Sequence, residues 1–598
     1  MVMKKQVQEE WRVYGKKADF SAISQKFHIS PVTARLLRNR DICTDEEIRS
    51  YLYGTLDSLP DPLLMKDLSP AVDLLLSAIQ NKQRIRIVGD YDADGVCSIT
   101  VLYRCLTALH ADVDWTIPDR IRDGYGLNMS FVEEAARDGI SLLLTCDNGI
   151  AALDPIARAK ELGMTVIVTD HHELVEQEQD GELRKVTPCA DAVVNPKQPD
   201  CTYPYKGMCG AGIAWMLTGV LLTRVQYPHI RELQFELLQY AAIATITDVC
   251  DLTGVNRILV REGLALLSRS THPGLTALMK HQQIHPENLS AYHIGFILGP
   301  ALNAGGRLDT ARTAVCLLLA ETEAEGDVLA ARLKELNDLR KDMTLQWTEK
   351  AYELVETTDL ANDRVLVVYL PECHESLAGI IAGRIRELFG KPTIVLTNGK
   401  NGLKGSARSI ESYHMFQGLV SCREFLTKFG GHPMAAGLSL PAENLEPFRR
   451  AINERCSLTD ADLVQKVWID VPLPFEHITM PLIREFTVLE PFGKANPKPV
   501  FGERSLEVLS MRILGKNQNV LKLTLRNASS CQMEGVTFEN ISGLVEEMRQ
   551  TYGEHAVDAA MRGQQNPIRL TVTYYPEIDT YGGREKLQVV LTRCRIVS

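Results

Sequence analysis

The sequence contains no apolar run approaching the roughly 20 residues that a membrane-spanning helix needs. The segment Met1 to Trp11 is polar and lacks the apolar stretch of a secretory signal, so a cytoplasmic location is expected. No C-x-x-C pair occurs among the 14 cysteines. Cys97, Cys105, Cys146 and Cys250 lie in apolar stretches and read as reduced, buried thiols. Cys189, Cys201 and Cys209 lack zinc-ligand spacing. No G-x-G-x-x-G follows a first strand, which removes a nicotinamide-dependent dehydrogenase. Positive charge is also short, 65 Lys and Arg against 76 Asp and Glu, for a net charge of −11. That weighs against a passive nucleic-acid binder, which is usually basic. It leaves room for an enzyme with a local groove, and for a carboxylate-rich site whose cations cancel the charge. There is no internal repeat and no low-complexity tract.

What is present changes character along the chain. At 598 residues the sequence exceeds a single core and predicts a multidomain protein of α/β class. Residues 1–67 read as a helical lead-in punctuated by Ser30-Pro31 and Asp61-Pro62. Residues 68–321 alternate strand and helix. Strands are expected at Arg84–Val88, Val113–Ile117, Leu142–Thr145, Thr165–Thr169 and Ala192–Val194, with helices at Gly95–His110 and Phe131–Arg137. Short apolar strands separated by helices predict a parallel sheet covered on both faces. Residues 322–358 form one long connecting helix, with Leu329, Leu333, Leu336, Met343 and Trp347 on one stripe. A smaller α/β unit covers 359–456, with strands at Val365–Leu370 and Thr393–Leu396 and Gly-rich segments at Lys404–Ser409 and Phe429–Gly437. Over 457–598 the period becomes two, with strand patterns at Val467–Val471, Leu506–Leu514, Leu521–Leu525, Ile568–Tyr574 and Leu587–Thr592. These predict a small antiparallel β-barrel. Within this region EPFGKANPKPVF, Glu490 to Phe501, reads as a linker.

Ligands of parallel sheets bind at the carboxyl ends of the strands, so the residues after each strand carry the most information. After the first strand come Asp90, Asp92 and Asp94 in G-D-Y-D-A-D-G. Asp147 follows the third strand in C-D-N-G, and Asp170, His171 and His172 follow the fourth. The apolar helix Leu237–Thr247 ends at Asp248. A lone D-x-D-G reads equally as a turn, and a lone Asp-His-His as a helix cap beside a core histidine. Their joint placement at successive strand ends favours a functional site. So many carboxylates together repel one another, and divalent cations resolve the repulsion. Carboxylate oxygens with a few imidazole nitrogens suit Mn²⁺ or Mg²⁺.

D-Y-D-A-D-G, C-D-N-G-I, D-H-H and T-D-V, in this order, resemble the motifs of the DHH phosphoesterase superfamily. The resemblance implies two divalent cations and phosphodiester hydrolysis without a covalent enzyme intermediate. It implies Asp92, Asp94, Asp147, His171 and Asp248 as metal ligands, with Asp147 bridging. It makes His172 the companion histidine on phosphate or metal, and Asp90 and Asp170 the groups that orient the ligands. IPDRIRDGYGLN (Ile117 to Asn128), GPALNAGGRL (Gly299 to Leu308) and EPFGKANPKPVF further resemble the bacterial RecJ exonucleases. GSARS (Gly405 to Ser409) and FGGHPMAAG (Phe429 to Gly437) resemble substrate-binding motifs of a DHHA1 domain, and the terminal β module resembles the OB-fold of RecJ enzymes. The resemblance thus implies a 5′-to-3′ exonuclease on single-stranded DNA that releases 5′-mononucleotides in repair and recombination. Single-stranded DNA is the implied partner, together with a single-strand binding protein or a helicase, around a monomeric chain.

By the same resemblance Arg120, Ser406 and Arg408 bind the 5′-terminal phosphate, and Asn303, Arg307, His374 and His432 are further substrate contacts. GSARS alone reads equally as a tight turn beside a surface cation, and His374 as a core histidine. In the barrel Tyr574, Tyr575, Arg584, Lys586, Arg593 and Arg595 are candidates for stacking and cationic contacts. Three positions depart from the family pattern. Val88 stands where many members place a histidine ligand, Ala301 where the motif has Arg, and Ser376 where it has Gly. These departures bear on rate and processivity, not on the metal chemistry. Two rival readings are a phosphodiesterase of the same superfamily acting on short RNA or cyclic dinucleotides, and a DNA-binding scaffold with weakened catalysis. The terminal β module argues against the first, and the intact set of metal-ligand candidates against the second.

Overall fold

The computed structural model describes residues 9–179, 182–580 and 583–597, so residues 1–8 of the polar N-terminal segment lie outside it. The chain falls into two compact units. One comprises residues 44–340 and 489–497, the other residues up to 43, 341–488 and from 498 onward. Among the described residues no helix is long and apolar enough to cross a membrane.

In the first unit five strands form an all-parallel sheet, ordered Val113–Thr116, Ile85–Val88, Leu142–Cys146, Thr165–Thr169, Ala192–Val194. Alternate residues of a strand face opposite sides. Ile85, Ile87, Leu142, Leu144 and Ile167 pack on one side with the helices Ala93–Ala108, Gly210–Arg224 and Ile230–Thr247. Val88, Leu143, Val166 and Val168 pack on the other with the helices Met129–Arg137 and Leu153–Glu161. Both faces are covered, which is why the central strands are apolar at nearly every position. Val113–Thr116 is the half-buried edge and tolerates Asp114.

The segment read as a linker is packed. Asn496 donates to the carbonyls of Leu489 and Pro491, at 2.8 Å each. Tyr51 donates to Asn496 Oδ1 at 2.9 Å, and the buried Arg257 donates to the Leu489 carbonyl at 2.9 Å. Its Pro and Gly residues form a fixed turn whose carbonyls buried side chains satisfy, so residues 489–497 belong to the first unit.

In the second unit Leu366–Tyr369 and Thr393–Gly399 pair in parallel. Gly402–Arg408, Ala435–Leu440 and Lys428–Gly431 extend the sheet antiparallel. GSARS is therefore strand rather than turn, with Ser406 opposite Gly437 and Arg408 opposite Ala435. Glu9–Val13, in the stretch read as helical, is a strand paired in parallel with Gln465–Ile469. Five strands, Phe501–Leu514, Val520–Arg526, Gln532–Thr537, Lys586–Ile596 and Arg569–Asp579, close into a barrel consistent with an OB fold by pairing the first with the last. All neighbouring pairs are antiparallel except Gln532–Thr537 with Lys586–Ile596. Two helices, Ile541–Tyr552 and Glu554–Met561, and one strand intervene between these two, as a parallel pair requires.

Candidate metal centre

Asp92 caps the helix Ala93–Ala108, its Oδ1 accepting the amides of Asp94 at 3.0 Å and Gly95 at 3.2 Å. Gly95 is required by closeness, because a Cβ there would lie 2.2 Å from the Asp90 carbonyl oxygen. The Asp94 carboxylate accepts the amides of Gly210 at 2.6 Å and Ala211 at 2.8 Å. These open the helix Gly210–Arg224, so the positive end of its dipole faces the anion. Asp147 takes a left-handed conformation, φ +60°. The next residue, Asn148, ties two strand ends together by donating to the carbonyls of Val88 at 3.0 Å and Cys146 at 2.9 Å. Asp170 accepts the amides of Ile150, His171 and His172 at 2.9, 2.7 and 3.0 Å, and its Oδ1 lies 2.8 Å from His172 Nδ1.

These turns aim their side chains at one point. His171 Nε2 lies 3.0 Å from Asp147, 3.5 Å from Asp94 and 3.9 Å from Asp248. Asp94, His171 and Asp248 offer donor atoms all within 4.8 Å of one another, as do Asp147, His171 and His172. Of the expected ligands, Asp94, Asp147, His171 and Asp248 are thus brought together. Asp92 stands outside both triads, engaged with the helix amides. Val88 is fully buried in the sheet core.

The electrostatics are those of a crowded anionic pocket. Burial, then Asp94, Asp92, Asp90 and Asp248, hold the Asp147 carboxyl well above the usual range. Burial, then Asp94 and Asp92, push Asp248 up to about 7. Burial and Asp92 raise Asp90, whose buried Oδ2 has no hydrogen-bond partner among the described residues. His171 is held below the usual imidazole range by burial. His172 is lowered by burial, but its bond to Asp170 and that group's charge more than offset this, and it rises to about 9. A hard divalent cation fits this set. The donors are carboxylate oxygens and imidazole nitrogens, and a cation removes the repulsion that raises Asp147 and Asp248.

A pH dependence follows. An unfolded carboxyl titrates near ~3.9, below the values held here, so the metal-free folded state binds more protons and loses stability as pH rises toward about 7. A cation competes with those protons. Mn²⁺ is therefore expected to raise the melting temperature more at about pH 8 than at about pH 6. Thermal denaturation at both values checks this, and an equal or larger gain at the lower pH contradicts it.

Tyr125, in the segment IPDRIRDGYGLN, has no signal of its own in the sequence; it donates to the Asp147 carbonyl at 2.7 Å and lies 3.1 Å from His172 Nδ1. The sequence signal for Gly210 and Ala211 is a small-residue C-G-A-G run before an apolar helix. Gly210 has no room for a side chain, since a Cβ would lie 2.7 Å from that of Asp147. Arg120 lies over the Tyr91 ring at 4.9 Å, and the Asn303 side-chain Oδ1 accepts the Ala93 amide at 2.8 Å. Arg307, on the helix Gly299–Leu308, acts electrostatically on Tyr91, as Arg120 does. Ala301 is fully buried.

In the second unit Arg408 donates to Ser406 Oγ at 3.2 Å. Both approach Gly379, at the start of the helix Ala378–Phe389, where a Cβ would lie 2.9 Å from Ser406 Oγ and from an Arg408 nitrogen. His374 Nδ1 bonds Ser376 Oγ at 2.7 Å, giving the departure at Ser376 a local partner. His432 is exposed at the turn between two strands. The barrel tyrosines face the core, contrary to the expectation of stacking contacts. Tyr574 is fully buried with its hydroxyl on the Leu473 carbonyl, and Tyr575 is buried near Phe486 with Lys498 over its ring, so neither presents a stacking face. Arg593 pairs with Glu9 and Glu539, Arg595 covers Trp11, and Arg584 and Lys586 are exposed.

Three family profiles match in order: the DHH family, N-terminal domain, over residues 84–245; the DHHA1 domain over 362–458; and the RecJ OB domain over 469–593. The Escherichia coli (strain K12) protein named single-stranded-DNA-specific exonuclease RecJ is 31% identical over 613 residues, spanning 98% of this chain and 99% of the relative. The chain belongs to the RecJ family. The Bacillus subtilis (strain 168) RecJ of the same name is 39% identical over 521 residues, spanning 86% of this chain and 64% of that relative. The crystal structure of RecJ in complex with Mn²⁺ from Thermus thermophilus matches with a TM-score of 0.78 at 27% identity, covering 99% of this chain and 80% of that one. The RecJ complex with Mg²⁺ from the same source gives 0.74 at 26% identity, covering 98% and 78%. The RecJ OB match favours this family over the short-RNA and cyclic-dinucleotide phosphodiesterases of the superfamily.

Proposed function

We propose that the chain is a 5′-to-3′ exonuclease on single-stranded DNA, releasing 5′-mononucleotides, with Mn²⁺ or Mg²⁺ held by Asp94, Asp147, His171 and Asp248. Asp92 is the further candidate ligand, and His172 is the candidate phosphate contact. The observation that carries this reading is the convergence of His171 Nε2 and the carboxylates of Asp94, Asp147 and Asp248, in a chain of the RecJ family. Cations bound there supply Lewis acidity and an activated water. The chain's own residues do the positioning. Gly210 and Ala211 fix the Asp94 carboxylate. Asp170 holds His172 protonated, ready to donate to a phosphate oxygen. Tyr125 braces the Asp147 backbone and the His172 ring together. Ser406, Arg408 and the helix start at Gly379 form an anion cradle that we assign to the 5′-terminal phosphate. The same reading carries a single-strand binding protein or helicase as partner, a cytoplasmic location and a monomeric chain.

The test uses linear strands labelled at the 5′ end. Labelled mononucleotide is the expected first product, faster from a 5′-phosphate than from a 5′-hydroxyl end. Arg408→Ala lowers that preference by roughly tenfold. An unchanged ratio removes Arg408 from the pocket, and a first product longer than a nucleotide removes the proposed step size.

A further inference from the structure

The helix that ends at Thr247, one residue before Asp248, packs against a segment with a widened turn. Ile294–Leu298 is a π-helical turn between Ala291–His293 and the helix Gly299–Leu308. Such turns are rare and frequently sit at functional sites. The inner side is anchored. Ile294 and Leu298 are buried, a Cβ on Gly295 would lie 3.4 Å from Ile246, and one on Gly299 would lie 2.3 Å from Thr247 Cγ2. Further along, Asn303 caps the helix that carries Asp94, and a Cβ on Gly306 would meet the Tyr91 carbonyl oxygen at 2.3 Å. The segment is thus fixed against the elements that deliver Asp248 and Asp94.

The outer side carries Tyr292, 61% exposed, and Phe296, 69% exposed. Their spacing of four residues places them together, and their rings stack at 4.9 Å with 27° between planes. Neither ring contributes to the core. Two exposed, mutually stacked aromatic rings beside an anchored turn suit a flat ligand of any sequence, and a nucleobase is such a ligand. Arg120, over Tyr91, supplies cationic charge beside the Gly306 end of the same segment. We propose that Tyr292 and Phe296 form a stacking platform for bases of the single strand at the metal centre. This inference rests on the exonuclease reading above and adds its base-binding subsite.

The test splits binding from turnover in the full chain. Tyr292→Ala and Phe296→Ala together raise KM for single-stranded DNA by roughly tenfold or more. Turnover at saturation and the Mn²⁺-induced melting shift stay at their original values. Phe296→Trp keeps the original KM, whereas Phe296→Leu, which retains apolar surface but no ring face, raises it. In EDTA, a bound strand carrying 2-aminopurine is quenched at one position, and the double variant relieves the quenching. An unchanged KM in the double variant, or an equal loss in Phe296→Leu and Phe296→Trp, overturns the platform while the exonuclease reading stands. If the unaltered chain hydrolyses no single strand, the exonuclease reading itself fails.

Discussion

Asp147→Asn lowers turnover of single-stranded DNA by roughly a thousandfold or more, with little change in affinity for the strand. The substitution preserves shape, and asparagine tolerates the left-handed backbone found there. What it removes is the charge that faces His171 at 3.0 Å and stands in repulsion with Asp94, Asp92, Asp90 and Asp248. The same repulsion supplies an internal control. Removing a buried acid whose carboxyl is held well above its usual range relieves the metal-free protein, so at about pH 8 the variant melts no lower than the parent without metal. Its gain on adding Mn²⁺ is smaller. Activity lost through misfolding gives the opposite signature, a lower melting temperature without metal. Near-normal turnover sinks the assignment of Asp147 to the metal centre.

Asp170→Asn is expected to cost roughly 10- to 100-fold in turnover, although Asp170 is not among the converging donors. Its carboxylate gathers three backbone amides and the Nδ1 of His172. The amide side chain can keep part of that network but not the charge that lifts His172 to about 9. An imidazolium that loses this support gives up its proton at lower pH, so the alkaline limb of the pH–rate profile moves to lower pH. A general loss of packing lowers the rate without moving the limb. An unchanged profile and rate mean that His172 does not work as a cation.

The convergence was legible because every donor segment except that of Asp248, which ends an apolar helix, follows an apolar strand core, and such strands deliver their next residues to one edge. Asp94, Asp147, His171 and Asp248 could be named from that rule and from the order of the motifs. The role of Asp92 was less legible, since D-x-D is at once a ligand pattern and a helix cap, and here the cap is made. Tyr125 went unread because its bond to Asp147 spans 22 residues that periodicity does not connect. Residues 489–497 misled because Pro and Gly content is local, whereas Tyr51 and Arg257, which fix the turn, lie far away in sequence. In the barrel, a register shift between Thr573 and Tyr574 breaks the simple alternation. With Phe486 against Tyr575, two consecutive tyrosines are buried, where both were candidates for stacking contacts.

The most direct test of the central claim is a time course on 3′-labelled single-stranded DNA, with either Mn²⁺ or EDTA, beside a circular strand and a duplex of the same sequence. The account predicts Mn²⁺-dependent shortening from the unlabelled 5′ end, no cutting of the circle, a spared duplex, and no reaction in EDTA. Cutting that persists in EDTA, or that opens the circle, contradicts it.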